Sequence, residues 1–294
     1  MAVYKRSYKV YDGAFTPSWS RFLVLSRYSA ASIFESRRFT AFTFLCLMPV
    51  FIGMLTIYIA HNATVQLMLG MTFKAKDIVG NVWFWIFLQN QVWLAFIMAL
   101  WAVPGMMSKD FANHALQLYL SRPLSRTEYL LGKISAVVVL LSFITWIPGV
   151  LLFGLQAQLE GNGWGFENLW LMGAIFIGCL LWIAVVALLA MALSIWVKWR
   201  IAASALMLAV FFVLPGFGKI AGAILGTPWG ELLNVPHMLI LIWTHLFRIP
   251  QNYTRGWGYD TVPLWSAWAS LFAVCAICLL LLNRRLKARE VERG

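Results

Sequence analysis

Gly216-Phe217-Gly218-Lys219-Ile220 is the stretch of this chain that comes nearest to a phosphate-binding loop. A P-loop cradles phosphates with the backbone amides of G-x-x-x-x-G-K-[ST] and holds Mg²⁺ with its hydroxyl residue. Here the first glycine and the Ser/Thr are missing, and the string closes an apolar run. ATP hydrolysis is therefore not expected of this chain. Gly161-Asn162-Gly163-Trp164-Gly165 follows no strand signal and reads as a turn. Cys275 and Cys278 lie three apart on one helix face, a spacing that suits a soft metal. No histidine stands beside them, and a free cysteine packs as a small hydrophobe, so the expectation is packing without metal. His237 and His245 read as packed or exposed histidines rather than an outer metal or proton site. The protease signature H-E-x-x-H and the hydrolase signature G-x-S-x-G are both absent from the sequence. Acids inside the apolar runs are also missing, which argues against a proton-coupled carrier. Gln89-Asn90-Gln91 sits in the middle of an apolar run, where amides either bond a neighbouring helix or line a path for cargo.

The polar island Ser108–Lys133 carries the densest pattern. Phe111, Ala115 and Leu118 recur at helical spacing, as do Leu116, Tyr119 and Leu120. Pro123 forbids a continuous helix, because it lacks an amide hydrogen and clashes with the preceding turn. Ser125-Arg126-Thr127-Glu128 then matches a capping box, with Ser125 accepting from the Glu128 amide and Glu128 reaching back to the Ser125 amide. The residues alone leave two readings open. One is an ordinary basic loop; the other is a rigid dock for a partner.

The elements that must position these residues cross a membrane. The 294 residues are 62% hydrophobic and only 12% charged, with a mean hydropathy of +0.78. A soluble domain carries roughly 25% charged residues. The net charge of +12 sits in loops beside apolar runs, which points to lipid and topology rather than nucleic acid. All four cysteines fall inside apolar runs, so no disulfide framework is implied. A spanning helix needs about 20 apolar residues. Six runs qualify: 40–60, 82–107, 130–156, 169–197, 201–224 and 262–282. Of the 23 Lys and Arg residues, 18 lie on one side of such a six-span arrangement. The positive-inside rule makes that side cytoplasmic, with both termini on it. Leu232–Phe247 is apolar but short at 16 residues, and Asn234, Pro236, His237 and His245 interrupt it. It reads as a helical segment on the outer face or re-entering from it. Phe22, Leu25, Ser29 and Ile33 share one face of a helix before the first span, with Arg27, Glu35 and Arg38 on the other. That helix is expected to lie in the inner interface with its apolar side in lipid. The expected organisation is a cytoplasmic segment over 1–39, a six-span membrane domain over 40–282 and a basic tail over 283–294.

Ser121-Arg122-Pro123-Leu124-Ser125-Arg126, followed by Glu128-Tyr129-Leu130-Leu131-Gly132-Lys133, resembles the cytoplasmic loop of type-2 ATP-binding-cassette (ABC) exporter permeases. Their pattern reads approximately L-x-x-S-R-P-[IL]-S-R-x-x-[YF]-x-x-G-K. The layout of six spans, a basic helix before the first and a broken outer segment between the fifth and sixth resembles the family over nearly the whole chain. The family often has E-x-x-x-G-T soon after the second span, whereas this chain reads Ser108-Lys-Asp-Phe-Ala-Asn-His114, with Asp110 the only acid.

The resemblance implies an all-α integral membrane permease subunit of an exporter, not itself an enzyme. Its partners would be two copies of a separate P-loop ATPase, which would bind ATP and Mg²⁺, and a second permease copy or close relative. The loop would be a coupling helix, with Asp110, Phe111, Leu118, Tyr119, Arg122, Pro123, Arg126 and Glu128 as ATPase-coupling residues. Gln89, Asn90 and Gln91 are candidates for the translocation path. The implied location is the cytoplasmic (inner) membrane. Two other classes stay open. One is a membrane enzyme or maturation partner with its site in the outer region 218–263, where Glu231, Asp260, His237 and His245 are scattered. The other is a membrane anchor for an ATPase that moves no cargo.

Overall fold

The computed structural model describes residues 20–70, 78–112, 125–197, 199–250, 253 and 262–291. Every regular element among them is helical. Six helical stretches are long and apolar enough to cross a membrane: Arg37–His61, Asn81–Met107, Thr127–Glu160, Leu169–Trp196, Arg200–Leu225 and Leu264–Arg285. They coincide with the six expected runs within a few residues. The second, third and fourth spans are more than half buried, whereas the first, fifth and sixth are less than a third buried. The middle three therefore make the core, and the others expose apolar faces such as Phe44, Leu45, Met48 and Phe51 on the first span and Phe212, Phe217 and Ile224 on the fifth.

Prolines stand in four of these spans, and side-chain hydrogen bonds reach backbone carbonyls close to three of them. In a membrane a freed backbone carbonyl needs a new donor, since no water is at hand. Pro104 removes the amide that would bond the Leu100 carbonyl. The Ser204 hydroxyl donates to that carbonyl at 2.9 Å, and Arg200 donates to the neighbouring Trp101 carbonyl. Gly105 clears the way, because a Cβ there would meet the Arg200 Nε at 3.3 Å. Pro49 breaks the first span in the same manner. The buried Gln91 donates to the Cys46 carbonyl at 2.8 Å, one residue along from the carbonyl that Pro49 leaves without an amide. The third span bends at Thr145, just before Pro148. Thr145 turns its hydroxyl back onto the Leu141 carbonyl at 2.8 Å.

The fifth span carries a five-residue π-helix, Ala209–Val213, immediately before Pro215. A wider turn there absorbs the missing proline amide. Beyond this span the chain turns at Gly226, folds back as the 3₁₀ helix Pro228–Leu233, and continues as the helix Val235–Leu246. Three contacts fix that last helix. Trp243 donates to the Gly178 carbonyl of the fourth span at 3.0 Å. Asn81 donates to the carbonyls of Phe247 and Arg248 at 2.9 and 3.1 Å. Pro236, Leu239 and Ile240 line a crevice with Gln89, Val92 and Phe96. Phe96 lies roughly 22 Å along the second span from Asn81 at 1.5 Å per residue. The segment 228–246 thus dips between the spans and returns to the end that holds Asn81, and does not lie flat over that end.

Candidate functional site

The basic end of the bundle gathers the residues that the sequence pattern singled out. The helix of the second span does not stop at the apolar boundary; it runs from Asn81 through Ala112 and carries Asp110 in its last turn. Residues 108–112 therefore continue the second span, where a separate short helix was expected to begin. The helix of the third span starts at Arg126, and its capping box is formed: the Ser125 amide donates to Glu128 Oε2 at 2.6 Å, and the Glu128 amide donates to Ser125 Oγ at 3.2 Å.

One turn further in, two side chains of the third span close on Asp110. Lys133 Nζ lies 2.8 Å from Asp110 Oδ2, and the Tyr129 hydroxyl donates to the same oxygen at 2.9 Å. The side chain of Lys133 is only 7% exposed and that of Asp110 only 15%. Tyr129 is fully buried. Lys133 also reaches the Met106 carbonyl at 3.5 Å and lies over the Tyr129 ring, 5.9 Å from its centre. Positions 129 and 133 are one helical turn apart and face the same way. The brace therefore ties the end of the second span to the start of the third.

Gly132 sits between them on the face toward the N-terminal helix Arg21–Phe34. A Cβ at Gly132 would come within 2.9 Å of the Phe22 carbonyl and 3.0 Å of Leu25 Cβ. The missing side chain lets the N-terminal helix lie directly on the third span. The expected face of that helix is the one used: Leu25 and Ser29 are buried, while Arg27, Glu35 and Arg38 are exposed. Its apolar face meets protein rather than lipid, and Leu23, Val24 and Tyr28 are left exposed.

Tyr129, Gly132 and Lys133 were not among the candidate site residues, although all three stand in the quoted motif. Their signal was the i, i+4 pairing of a tyrosine with a lysine across from a lone acid. Of the candidate coupling residues, Asp110 and Glu128 are seated as described. Phe111 lies in the last turn of the second-span helix and Arg126 opens the third; their side chains, with Leu118, Tyr119, Arg122 and Pro123, lie outside the described residues.

The amides of the second span separate in role. Gln91 is the interhelical bond to the first span described above. Asn90 is exposed and donates to its own Ile86 carbonyl at 2.9 Å. It lines an open groove of about 520 Å³ with Pro49, Thr56 and Trp93. Gln89 Nε2 is buried with no hydrogen-bond partner among the described residues, beside Trp182 and Trp243. The three residues thus do not share one cavity wall.

At the opposite end, the glycines of the false phosphate loop have a packing role. A Cβ at Gly218 would lie 2.4 Å from the Gly230 carbonyl, and one at Gly230 would lie 2.1 Å from the Gly218 carbonyl. The two backbones touch there, which only glycine permits. Glu231 and His237 approach within 3.9 Å, and Asn234 between them caps the helix by accepting from the His237 amide at 3.1 Å. Burial pushes the His237 imidazole below its ordinary pKa and Lys219 lowers it further, against an upward pull from Glu231. His245 bonds its own helix at the Leu241 carbonyl. Asp260 lies outside the described residues. No group of three potential metal ligands occurs among the described residues.

A family model described as "ABC-2 family transporter protein" matches residues 28–286, nearly the full length. The chain belongs to the ABC-2 transporter family. It is a permease component of an ABC transporter, a multi-pass membrane protein whose family works with an ABC ATPase. No curated protein matches the permease at a significant level.

Proposed function

We propose that this permease is the membrane subunit of an exporter driven by a separate ATPase that docks at its basic end. The observation that carries this reading is the brace of Asp110 by Tyr129 and Lys133 next to the Ser125–Glu128 capping box. Together they make both stems of the 113–124 loop rigid. A force applied to such a loop moves two spans as one body, as transmission of a rigid-body motion requires. Phe111, Leu118 and Tyr119 would fill an apolar groove on the ATPase, and Arg122 and Arg126 would pair with its carboxylates. Pro123 would set the bend between the stems.

In this reading the basic end is cytoplasmic, both termini lie on that side of the inner membrane, and the loop 228–246 opens outward. The segment before residue 40 is cytoplasmic and carries the interfacial helix, 40–282 is the permease domain and the tail beyond 282 is cytoplasmic. Two permease copies, or one with a close relative, pair through the exposed apolar faces of the outer spans. Two ATPase subunits supply ATP and Mg²⁺, and this chain needs no cofactor of its own. Cargo passes between the permeases along a path that includes the Asn90 groove.

The test is co-expression with the cognate ATPase followed by mass measurement. The expected species holds two copies of each subunit type, and the permease alone shows no ATP hydrolysis above background. A lone active monomer would contradict the proposal.

A further inference from the structure

A polar cavity of about 540 Å³ opens at the basic end, between the N-terminal helix and the inner ends of the first, second and fifth spans. That volume falls in the range of small-molecule sites, roughly 300–1,000 Å³. Its charged lining among the described residues is Lys133, Asp110, Arg200 and Glu35. Lys133 and Asp110 neutralise each other at 2.8 Å. What remains is one cation and one anion without a charged partner among the described residues.

Arg200 has five N–H donors to place. The described residues offer its guanidinium one acceptor, the Trp101 carbonyl. Arg200 is also the first residue of the helix Arg200–Leu208, and Trp199 before it gives no side-chain cap. Lys133 has a third donor beyond Asp110 and Met106, and its nearly buried ammonium forms part of the same wall. Glu35 closes the N-terminal helix, is exposed, and stands on the cavity rim. Phe39 and Trp101 supply apolar wall.

We infer that this cavity binds the headgroup of a zwitterionic, amine-bearing membrane phospholipid. Arg200 takes the phosphodiester, Glu35 takes the ammonium, and the apolar wall receives the glycerol end. A lipid is favoured over free phosphate because an isolated anion would leave Glu35 unmatched. The cavity also sits where the apolar spans end and lipid headgroups lie. The inference rests on the spans crossing a membrane, and not on ATPase docking. Failure of the exporter reading would appear as lost ATPase recovery, with lipid retention unchanged.

The test is native mass spectrometry of the full chain, reconstituted with equal phosphatidylethanolamine and phosphatidylglycerol and then delipidated stepwise in detergent. The wild type is expected to keep phosphatidylethanolamine last. Arg200→Gln should weaken retention of either lipid about tenfold, the scale of losing a charge-assisted hydrogen bond. Glu35→Gln changes an exposed residue, leaves the fold alone, and should abolish the preference for the amine while phospholipid is still retained. Unchanged retention and preference in both variants would overturn the inference. So would stabilisation of the chain against heat by inorganic phosphate alone with none by phosphatidylethanolamine.

Discussion

Replacing Lys133 with Met keeps the length of the side chain and removes its charge. The side chain of Asp110 is 15% exposed, so its carboxylate would lose its cation with little water to replace it. Breaking a buried pair from one side typically costs about 3–5 kcal/mol, because the remaining charge stays buried and unmatched. Asp110 would keep the Tyr129 hydroxyl at 2.9 Å, which places the cost near the lower end. Tyr129→Phe removes the hydroxyl that donates to this charged acceptor, a hydrogen bond worth about 1.5–3 kcal/mol. Asp110→Asn with Lys133→Met removes both charges, so the double variant should be more stable than the sum of the single losses predicts. The coupling should fall at the upper end of the 0.5–3 kcal/mol seen between contacting residues. The assay is thermal unfolding of the purified chain in detergent for the wild type, both single variants and the double. Additive losses within error would show that Asp110 and Lys133 do not act as a pair, and the rigid-stem argument would lose its foundation.

Other outcomes follow from the packing. Gly230→Ala places a methyl 2.1 Å from the Gly218 carbonyl, so the 3₁₀ helix must move; a loss of at least about 1–3 kcal/mol should appear as faster hydrogen exchange over 228–246. Ser204→Ala leaves the Leu100 carbonyl short of its donor and should cost about 1 kcal/mol in thermal unfolding. In a Pro104→Ala background, where an amide can return to that carbonyl, the same change should cost less. Lys287→Cys, on an otherwise cysteine-free chain, should be labelled from the cytoplasmic side; labelling from outside only would contradict the six-span topology.

Much of the fold was legible because each span announces itself by length and apolar composition. The capping box was readable for a similar reason: it depends on residues three apart in the chain. The bonds that repair the prolines were not readable in this way. Pro104 and Ser204 are a hundred residues apart, and only packing brings the hydroxyl to the right carbonyl. The same limit hid the brace, since nothing local in Tyr129-x-x-x-Lys133 names Asp110 as the shared acceptor. The face of the N-terminal helix was found correctly, but its destination was not. Phe22 and Leu25 look ready for lipid until Gly132 offers them a surface. Gln89-Asn90-Gln91 offered either interhelical bonds or a path, and helical geometry, which turns consecutive residues about 100° apart, separates them: Gln91 bonds the first span while Asn90 bonds its own helix.

The central claim is that the loop between the second and third spans receives the ATPase. Arg126→Glu at its rim tests it most directly, by co-purification of the cognate ATPase and measurement of stimulated hydrolysis. Reversing a charge against an acidic groove costs several kcal/mol, so ATPase recovery should collapse while expression and membrane insertion stay normal. Arg38→Glu, the same charge change on an exposed residue outside the loop, should leave recovery intact. Full recovery and normal hydrolysis with Arg126→Glu would mean that the loop is an ordinary turn and that the ATPase binds elsewhere.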